Sequence, residues 1–98
     1  MVQAMRYSGR NAHEICAWAT NKHLRPHELV DGFWVRQLTD DHTHSVVRYE
    51  LAAPTRNGTV YLSPGDYLIR DDDSGLVRLS PEQMRDEYPL LFATLDQR

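Results

Sequence analysis

Hydrophobic and polar residues alternate in several short runs of the chain, and this alternation predicts β-strands separated by tight turns. The central run is Thr59–Arg70, TVYLSPGDYLIR, in which two alternating segments flank a Ser-Pro-Gly-Asp turn. Pro64 presets φ for the second position of a type II turn, and Gly65 allows the positive φ of its third position. Asp66 can accept backbone N–H groups where the chain leaves the turn. We therefore expect a half-buried strand on each side of the turn.

Four other segments have the pattern of strands: Val2–Tyr7, Phe33–Leu38, Ser45–Ala53 and Leu76–Leu79. The longest of them places Val47, Tyr49, Leu51 and Ala53 on one face and Val46, Arg48, Glu50 and Ala52 on the other. Because one of these faces is polar, we expect an antiparallel sheet that is covered on one side. Asn57-Gly58 and Asp71–Gly75 are expected to be the turns of two hairpins.

Two helices are predicted from capping residues and apolar spacing. The first spans about residues 11–22, because Asn11 followed by Glu14 has the spacing of a capping box. Its apolar stripe consists of Ala12, Ile15, Cys16 and Ala19, with Trp18 on the flank. The second spans about residues 81–87, where Ser80 is the N-cap, Pro81 the first helical residue and Gln83 the capping-box partner. Pro89 is expected to end it, and Leu90–Leu95 to form a closing strand or an extended tail.

These elements predict one α+β domain over residues 1–98, with a mostly antiparallel, bent sheet of five or six strands and one main helix packed on it. Leu24–Gly32 is expected to be an irregular connection. No apolar run approaches the roughly 18–20 residues needed to span a bilayer, and the first residues lack the apolar core of a signal peptide. We therefore expect a cytoplasmic protein that does not associate with a membrane.

Composition adds two constraints on function. The net charge of −3 argues against nucleic-acid binding, because modules that follow a phosphate backbone usually carry a basic stripe. Cys16 is the chain's one cysteine, so it cannot form an internal disulfide, and its place on the helical stripe predicts a buried, unreactive thiol.

Parts of both halves of the chain resemble small proteins of tailed bacteriophages and prophages. The resemblance lies in PGDYLIR (Pro64–Arg70), a short strand, SPEQMRDEY (Ser80–Tyr88), and the opening AMRYSGRNAHEICAWA (Ala4–Ala19). The chain departs from those proteins at Asp72–Gly75, where a Gly-Glu turn is usual. The resemblance implies a phage-encoded accessory protein of the host cytoplasm, and it implies no active site and no cofactor.

Two clusters of polar residues have some of the features of metal sites. His42 and His44 would share a face of a strand beside Asp40 and Asp41, a spacing that can chelate zinc or nickel, but a solvated hairpin loop is the favoured interpretation. Asp71–Asp73 lacks the spacing of a calcium loop and is interpreted as a charged turn. We assign no metal ligand and, in the absence of a catalytic motif, we expect no enzyme activity.

The remaining candidate is a binding surface made of arginines and aromatic residues at strand positions, since such residues can clamp a phosphate, stack on a base or form a protein interface. These ligand- or partner-binding candidates are Arg6, Trp34, Arg48, Tyr61, Tyr67 and Arg70.

The function expected from the sequence is binding of a host protein as a defence inhibitor or regulator. A small-molecule binder, such as a sponge for a nucleotide signal, and a minor virion assembly component are the alternatives, and an exposed strand edge or Phe33-Trp34 could form a homodimer.

Overall fold

The computed structural model describes residues 2–70 and 75–96, which fold as an α+β structure of six strands and three helices. The strands are β1 (Gln3–Arg6), β2 (Trp34–Thr39), β3 (Val46–Thr55), β4 (Gly58–Leu62), β5 (Tyr67–Arg70) and β6 (Leu76–Leu79). The helices are α1 (Ala12–Thr20), α2 (Pro81–Glu87) and α3 (Pro89–Asp96).

The strands form two antiparallel sheets of three strands each, in the orders β1-β5-β6 and β2-β3-β4. The α+β class and the six strands predicted before residue 80 are thus confirmed, whereas the prediction of one bent sheet is wrong. The Ser63–Asp66 turn is the reason, because it passes the chain from β4 in one sheet to β5 in the other. The two strands that flank it pair with different neighbours instead of with each other.

The turn itself has the predicted chemistry. The N–H of Asp66 donates to the carbonyl of Ser63 at 2.9 Å, and Gly65 adopts a φ of +101°. The Asp66 carboxylate accepts the N–H of Ser63 at 2.9 Å. Two further backbone bonds, from Tyr7 to Asp66 and from Gly65 to Tyr7, continue the pairing of β1 with β5 into the turn. The turn is therefore fixed from both sides.

The main core lies between the two sheets and α1. Its largest fully buried side chains come from both sheets and from the helix, and Cys16 lies among them with no exposed surface, as predicted. They include Tyr7, Ile15, Phe33, Leu51, Leu62 and Leu68. The predicted stripe of α1 is confirmed, with Ala12, Ile15 and Cys16 buried.

The first turn of α1 differs from the prediction in one respect. Asn11 is the N-cap residue, but its side chain does not cap the helix. Its Oδ1 instead accepts the N–H of Ser8 at 2.8 Å, and its Nδ2 donates to the carbonyl of Arg6 at 2.8 Å. Asn11 therefore closes the loop between β1 and α1, and the predicted capping box with Glu14 is not formed. The helix ends at Thr20, before Asn21 in the left-handed region.

A second core covers the other face of the β1-β5-β6 sheet. Tyr67, Ile69, Leu79 and Met84 are buried in it, and α2 and α3 provide its cover. The boundaries of α2 and its capping box between Ser80 and Gln83 are confirmed. The prediction of a strand or extended tail at Leu90–Leu95 is wrong, because this segment is part of α3. Pro89 follows the end of α2 and is also the first residue of α3. A proline fits this position, because the N–H groups in the first turn of a helix make no hydrogen bond within the helix.

None of the helices in these two described ranges is long and apolar enough to cross a membrane. The predicted turn at Asp71–Gly75 lies outside the described residues except for Gly75, and the antiparallel pairing of β5 with β6 is confirmed.

Candidate functional site

Three of the six predicted binding residues lie together on the open face of the β2-β3-β4 sheet. Trp34, Arg48 and Tyr61 are on this face because the register aligns Trp34 with Ala52 and Ala52 with Tyr61, and Arg48 is on the same side of β3. The structure adds Arg36, Glu50 and Ser63 to this group. We call these six residues (Trp34, Arg36, Arg48, Glu50, Tyr61 and Ser63) the arginine–aromatic face.

The other three predicted residues lie elsewhere. Tyr67 is buried in the second core, with its ring 6.0 Å from that of Phe92, so it is not part of a binding surface. Arg70 lies against α1, where its guanidinium is 4.4 Å from the Trp18 ring and donates to the Trp18 carbonyl at 3.0 Å. Arg6 is exposed on β1. The candidate site therefore contains neither Arg6 nor Arg70.

Glu50 is the buried centre of the arginine–aromatic face, with only 4% of its surface exposed. Its Oε1 accepts two hydrogen bonds from the Arg36 guanidinium, at 2.9 Å from Nε and 2.6 Å from Nη2. Its Oε2 accepts the Ser63 hydroxyl at 2.8 Å and lies 3.1 Å from Arg48 Nη2. Three hydrogen bonds and the nearby charge of Arg48 thus offset the cost of burying the carboxylate.

Burial alone would raise the pKa of the Glu50 carboxyl, but the hydrogen bonds from Ser63 and Arg36 and the charges of Arg36 and Arg48 outweigh it. The pKa therefore lies below its ordinary value of 4.5. A carboxylate held in this way stays ionised near neutral pH, so Glu50 is poorly suited to act as a general acid there. The Glu50 carboxylate instead holds the side chains of Arg36 and Arg48 in place.

Aromatic rings form the other half of this face. The Arg36 guanidinium lies 3.6 Å from the centroid of the Tyr61 ring, and the rings of Trp34 and Tyr61 meet edge to face at 6.0 Å. Ala52 lies between these two rings in the register and is fully buried. Contacts of this kind are worth about 0.5–1.5 kcal/mol each beyond the area they bury, and they present a flat, pre-ordered surface to a partner.

A cleft of about 920 Å³ lies beside the opposite face of the same sheet. Its walls come from the β1–α1 loop and the start of α1, from residues 24–27, from residues 34–37 of β2, and from Tyr49. Tyr7 lines the cleft, where its hydroxyl donates to the Tyr49 carbonyl at 2.9 Å. Burial and the Glu50 carboxylate raise the pKa of Tyr7 to about 12, so Tyr7 remains a neutral donor across the neutral range.

The cleft has an electropositive lining, although the chain as a whole is acidic. Arg10, Arg25 and Arg36 line it together with two histidines, and no lining residue carries a carboxylate. Arg36 is paired with Glu50. Within the described residues, the side chains of Arg10 and Arg25 make no hydrogen bond or ion pair. The cleft therefore combines an apolar wall with two unpaired positive charges.

The far half of the β2–β3 hairpin presents exposed apolar side chains. Val46, Val47 and Tyr49 are 42%, 63% and 41% exposed, and we call these three residues the hairpin patch. Val47 and Tyr49 continue the face that further along β3 contributes Leu51 and Ala53 to the main core. The strand pattern thus extends beyond the part of the sheet that the core covers.

The loop of this hairpin contains the histidines considered as metal ligands. Asp40 organises the loop, since its carboxylate accepts the N–H groups of His42 and Thr43 at 2.7 and 3.1 Å. The placement of this segment in a hairpin loop is confirmed. Across residues 2–70 and 75–96, no three His, Cys, Asp or Glu side chains are grouped so that they could hold a metal ion.

Sequence reasoning missed three members of the arginine–aromatic face: Arg36, Glu50 and Ser63. The strand pattern places Glu50 on the same face as Arg48, and Arg36 lies two residues after Trp34 in a predicted strand, so it shares the face of Trp34. The signal that could have identified Arg36 and Glu50 was therefore the alternation of side chains between the two faces of a strand. The cross-strand pairing of Arg36 with Glu50 requires the register, which the sequence pattern does not give.

Comparison of the chain with protein-family models, with curated proteins and with solved structures gives no match.

Proposed function

We propose that this protein is a non-enzymatic accessory protein, encoded by a phage, that acts by binding a host protein in the host cytoplasm. The observation that carries the proposal is the hairpin patch, because its three side chains are apolar, exposed and close together on β3. Exposed apolar surface of this kind is typical of protein interaction sites when it is contiguous and bordered by polar groups. The phage origin is supported by the resemblance of Pro64–Arg70 and its flanking segments.

The hairpin patch is continuous with the cleft. A shallow depression of the surface is lined by Val46, Val47 and Tyr49 together with Gly9 and Arg10, and the last three of these residues also line the cleft. A partner that covers the patch would therefore also reach the positive charge of Arg10. This arrangement of an apolar centre with arginine at its border matches the composition of protein interfaces. It favours a partner with an apolar contact surface and neighbouring acidic groups.

The test is a pull-down from bacterial lysate with the tagged protein and two matched variants. Val47→Asp places a charge in the hairpin patch, and Leu90→Asp places the same charge on α3, where Leu90 is 85% exposed. We expect the wild-type protein and Leu90→Asp to enrich the same host protein, and Val47→Asp to lose it. Failure of the wild-type protein to enrich any host protein over a charge-matched control would contradict the proposal, as would equal enrichment by Val47→Asp.

A second candidate function is the binding of a small anionic aromatic ligand, such as a nucleotide signal, on the arginine–aromatic face. The stacking of Arg36 on Tyr61 beside Trp34 favours it, since the same groups can stack on a base and pair with a phosphate. A thermal shift assay with cyclic dinucleotides and NAD-derived nucleotides is the measurement. A ligand at a hundredfold excess over its Kd stabilises the protein by about 2.7 kcal/mol, and Tyr61→Ala should abolish the shift.

A further inference from the structure

The cleft reaches the edge of a strand. β2 is at one edge of its sheet, because among the described residues it pairs with β3 only. Four successive residues of β2, 34–37, line the cleft, as does Tyr49 of β3, which pairs with Gln37. Successive side chains of a strand point to opposite faces, so the cleft lies over the face that carries Gln37 and Tyr49 and extends to the edge of β2, where residues of the other face also line it. The edge offers backbone N–H and C=O groups that have no partner in the sheet.

The same edge continues into a neighbouring depression. Trp34 and Val35 line both the cleft and a smaller hollow formed with residues 27–29. At about 3.3 Å per residue, the six residues of β2 give an edge about 20 Å long. An extended peptide of five or six residues could pair along this length, in the way that a strand is added to the open sheets of peptide-binding domains.

Charge and apolar contacts define the peptide that would fit. Arg10 and Arg25 line the cleft together with β2 and have no partner among the described residues. Leu24, Val35 and Tyr49 contribute apolar surface to the same lining. The carboxylates around the cleft are already engaged: Glu50 pairs with Arg36, Glu28 in the neighbouring hollow accepts the backbone N–H of Arg25, and Glu14 lies 3.8 Å from His13. An acidic segment with apolar side chains between its charges would meet two unpaired arginines and apolar surface in the cleft.

We propose that β2 receives an extended acidic segment of the partner protein as an additional antiparallel or parallel strand, with its carboxylates directed to Arg10 and Arg25. This inference rests on the proposed function, since it names the mode by which the partner is recognised. The backbone pairing supplies affinity that is independent of sequence, and the two arginines supply selectivity for acidic side chains.

Two other ligands would fit the cleft and the edge of β2 less well than an acidic peptide. A second copy of this chain, paired through β2, would bring the electropositive lining of one cleft against that of the other. A small aromatic anion could use the arginines but would leave the backbone groups of the strand edge unpaired. Binding of either one in place of a peptide is an outcome that the experiment can detect.

The experiment is a selection of random linear 12-residue peptides, displayed on a surface, against the full protein. We expect enriched sequences with Asp or Glu spaced by β-branched or aromatic residues. Their affinity should fall at least tenfold for the double variant Arg10→Glu/Arg25→Glu and at least threefold for each single variant, and it should stay within twofold for Arg85→Glu, which reverses one charge on exposed α2. All three arginines are exposed, so circular dichroism should show unchanged folds.

A selected peptide then tests the strand pairing directly. Methylation of backbone nitrogens at alternate positions should lower affinity about tenfold for one set of positions and leave it unchanged for the other, because only one set faces β2. Hydrogen exchange of residues 34–37 should slow on binding. No enriched peptide, enrichment of peptides without acidic residues, equal effects of both methylated sets, or dimerisation through β2 would each overturn the inference.

These results can be separated from the failure of the proposed function. A host protein that depends on Val47 but binds Arg10→Glu/Arg25→Glu normally would support the proposed function and overturn strand addition. If a peptide bound β2 but no host protein was enriched, strand addition would be supported and the proposed function would be overturned.

Discussion

The two sheets contain the same number of strands but are covered differently. The β1-β5-β6 sheet has a core on each face: Leu68 points into the main core, and its neighbours Tyr67 and Ile69 point into the second core under α2 and α3. The β2-β3-β4 sheet is covered on one face over part of its length, and its other face consists of arginines, aromatic rings and Glu50. The first sheet is therefore covered on both faces, whereas the second has an open face, the exposed hairpin patch and β2 at its edge.

This difference also shows how each sheet is held together. The doubly covered sheet depends on close packing of apolar side chains, for which any loss of volume is costly. The open face depends on a buried carboxylate with three hydrogen bonds and a further ion pair, and the energy of these interactions depends on pH and on solvent screening. Variants in the two sheets should therefore differ in the size of their effects and in their response to pH.

The largest effect is expected for Leu68→Ala. Leu68 has no exposed surface, so its truncation should lower the free energy of unfolding by about 2–5 kcal/mol through lost burial and a new cavity. Urea unfolding followed by circular dichroism measures the change. Val47→Ala is the matched control on the exposed part of β3 and should change stability by less than about 0.5 kcal/mol. Similar losses for the two variants would refute the contrast between a packed and an open sheet.

Glu50→Gln should have the next largest effect, about 1–3 kcal/mol, because it removes charge-assisted hydrogen bonds from Arg36 and Ser63. The loss should lie toward the lower end, since the Arg36 and Arg48 side chains are 36% and 49% exposed and water screens them. Glu87→Gln, on the exposed side of α2, is the control. No difference between these variants at neutral pH would show that the Glu50 network does not contribute to stability.

The contribution of Glu50 should also depend on pH. Its folded-state pKa is lowered, so the stabilisation is complete above the ordinary carboxyl value of 4.5 and disappears as the pH falls below it through the folded-state pKa. The stability difference between wild type and Glu50→Gln should therefore narrow with acidification in that range. If the stability difference stayed constant until the Glu50 carboxyl group was fully protonated, packing rather than charge would explain the contribution of Glu50.

Tyr7→Phe should cost about 1 kcal/mol at neutral pH, the net value of the hydrogen bond that Tyr7 donates to the Tyr49 carbonyl. Because the folded-state pKa is raised from 10.0 to about 12, the wild type has its full stability below pH 10 and loses part of it between pH 10 and 12. The Tyr7→Phe variant has no phenolic hydroxyl at this position, so it should not lose this part of its stability between pH 10 and 12. Ultraviolet absorbance of the phenolate, recorded with unfolding curves, follows both effects, and ionisation of Tyr7 near pH 10 would contradict the assignment.

The smallest effect is expected for Arg48→Ala, at about 0.2–1 kcal/mol, because Arg48 is half exposed and Glu50 keeps its other donors. The loss should shrink further in high salt, where exposed charges are screened. A loss equal to that of Glu50→Gln would show that Arg48, rather than Arg36 and Ser63, is the main partner of the carboxylate.

The sequence predicted local structure where one residue type leaves few choices. Ser80, Pro81 and Gln83 specify the start of α2, and Pro64 with Gly65 specifies the turn before β5. Pro89 was ambiguous, because a proline that ends one helix can also begin the next. The assignment of β4 and β5 to different sheets depends on long-range pairing, which alternation within a strand does not reveal.

The candidate site was predictable to a similar degree. The period of two placed Arg48 beside Glu50 and could have placed Arg36 beside Trp34. It misplaced Tyr67, although the uninterrupted apolar triplet 67–69 is typical of a strand buried on both faces. The edge of β2 and the unpaired state of Arg10 and Arg25 come from tertiary structure, since neither strand order nor the neighbours of a loop arginine can be read from local pattern.

The pairing of β1 with β5 has a consequence for the order in which the protein can assemble. Gln3 lies opposite Arg70, whereas β2, β3 and β4 are joined by short connections and pair in sequence order. During synthesis, the β2-β3-β4 sheet can close while β1 still lacks its neighbour, because contacts between distant residues form more slowly than local ones. The sheet proposed to bind a partner is therefore inserted in the sequence between two strands of the other sheet, and β1 can pair with β5 only after the last third of the chain has been made.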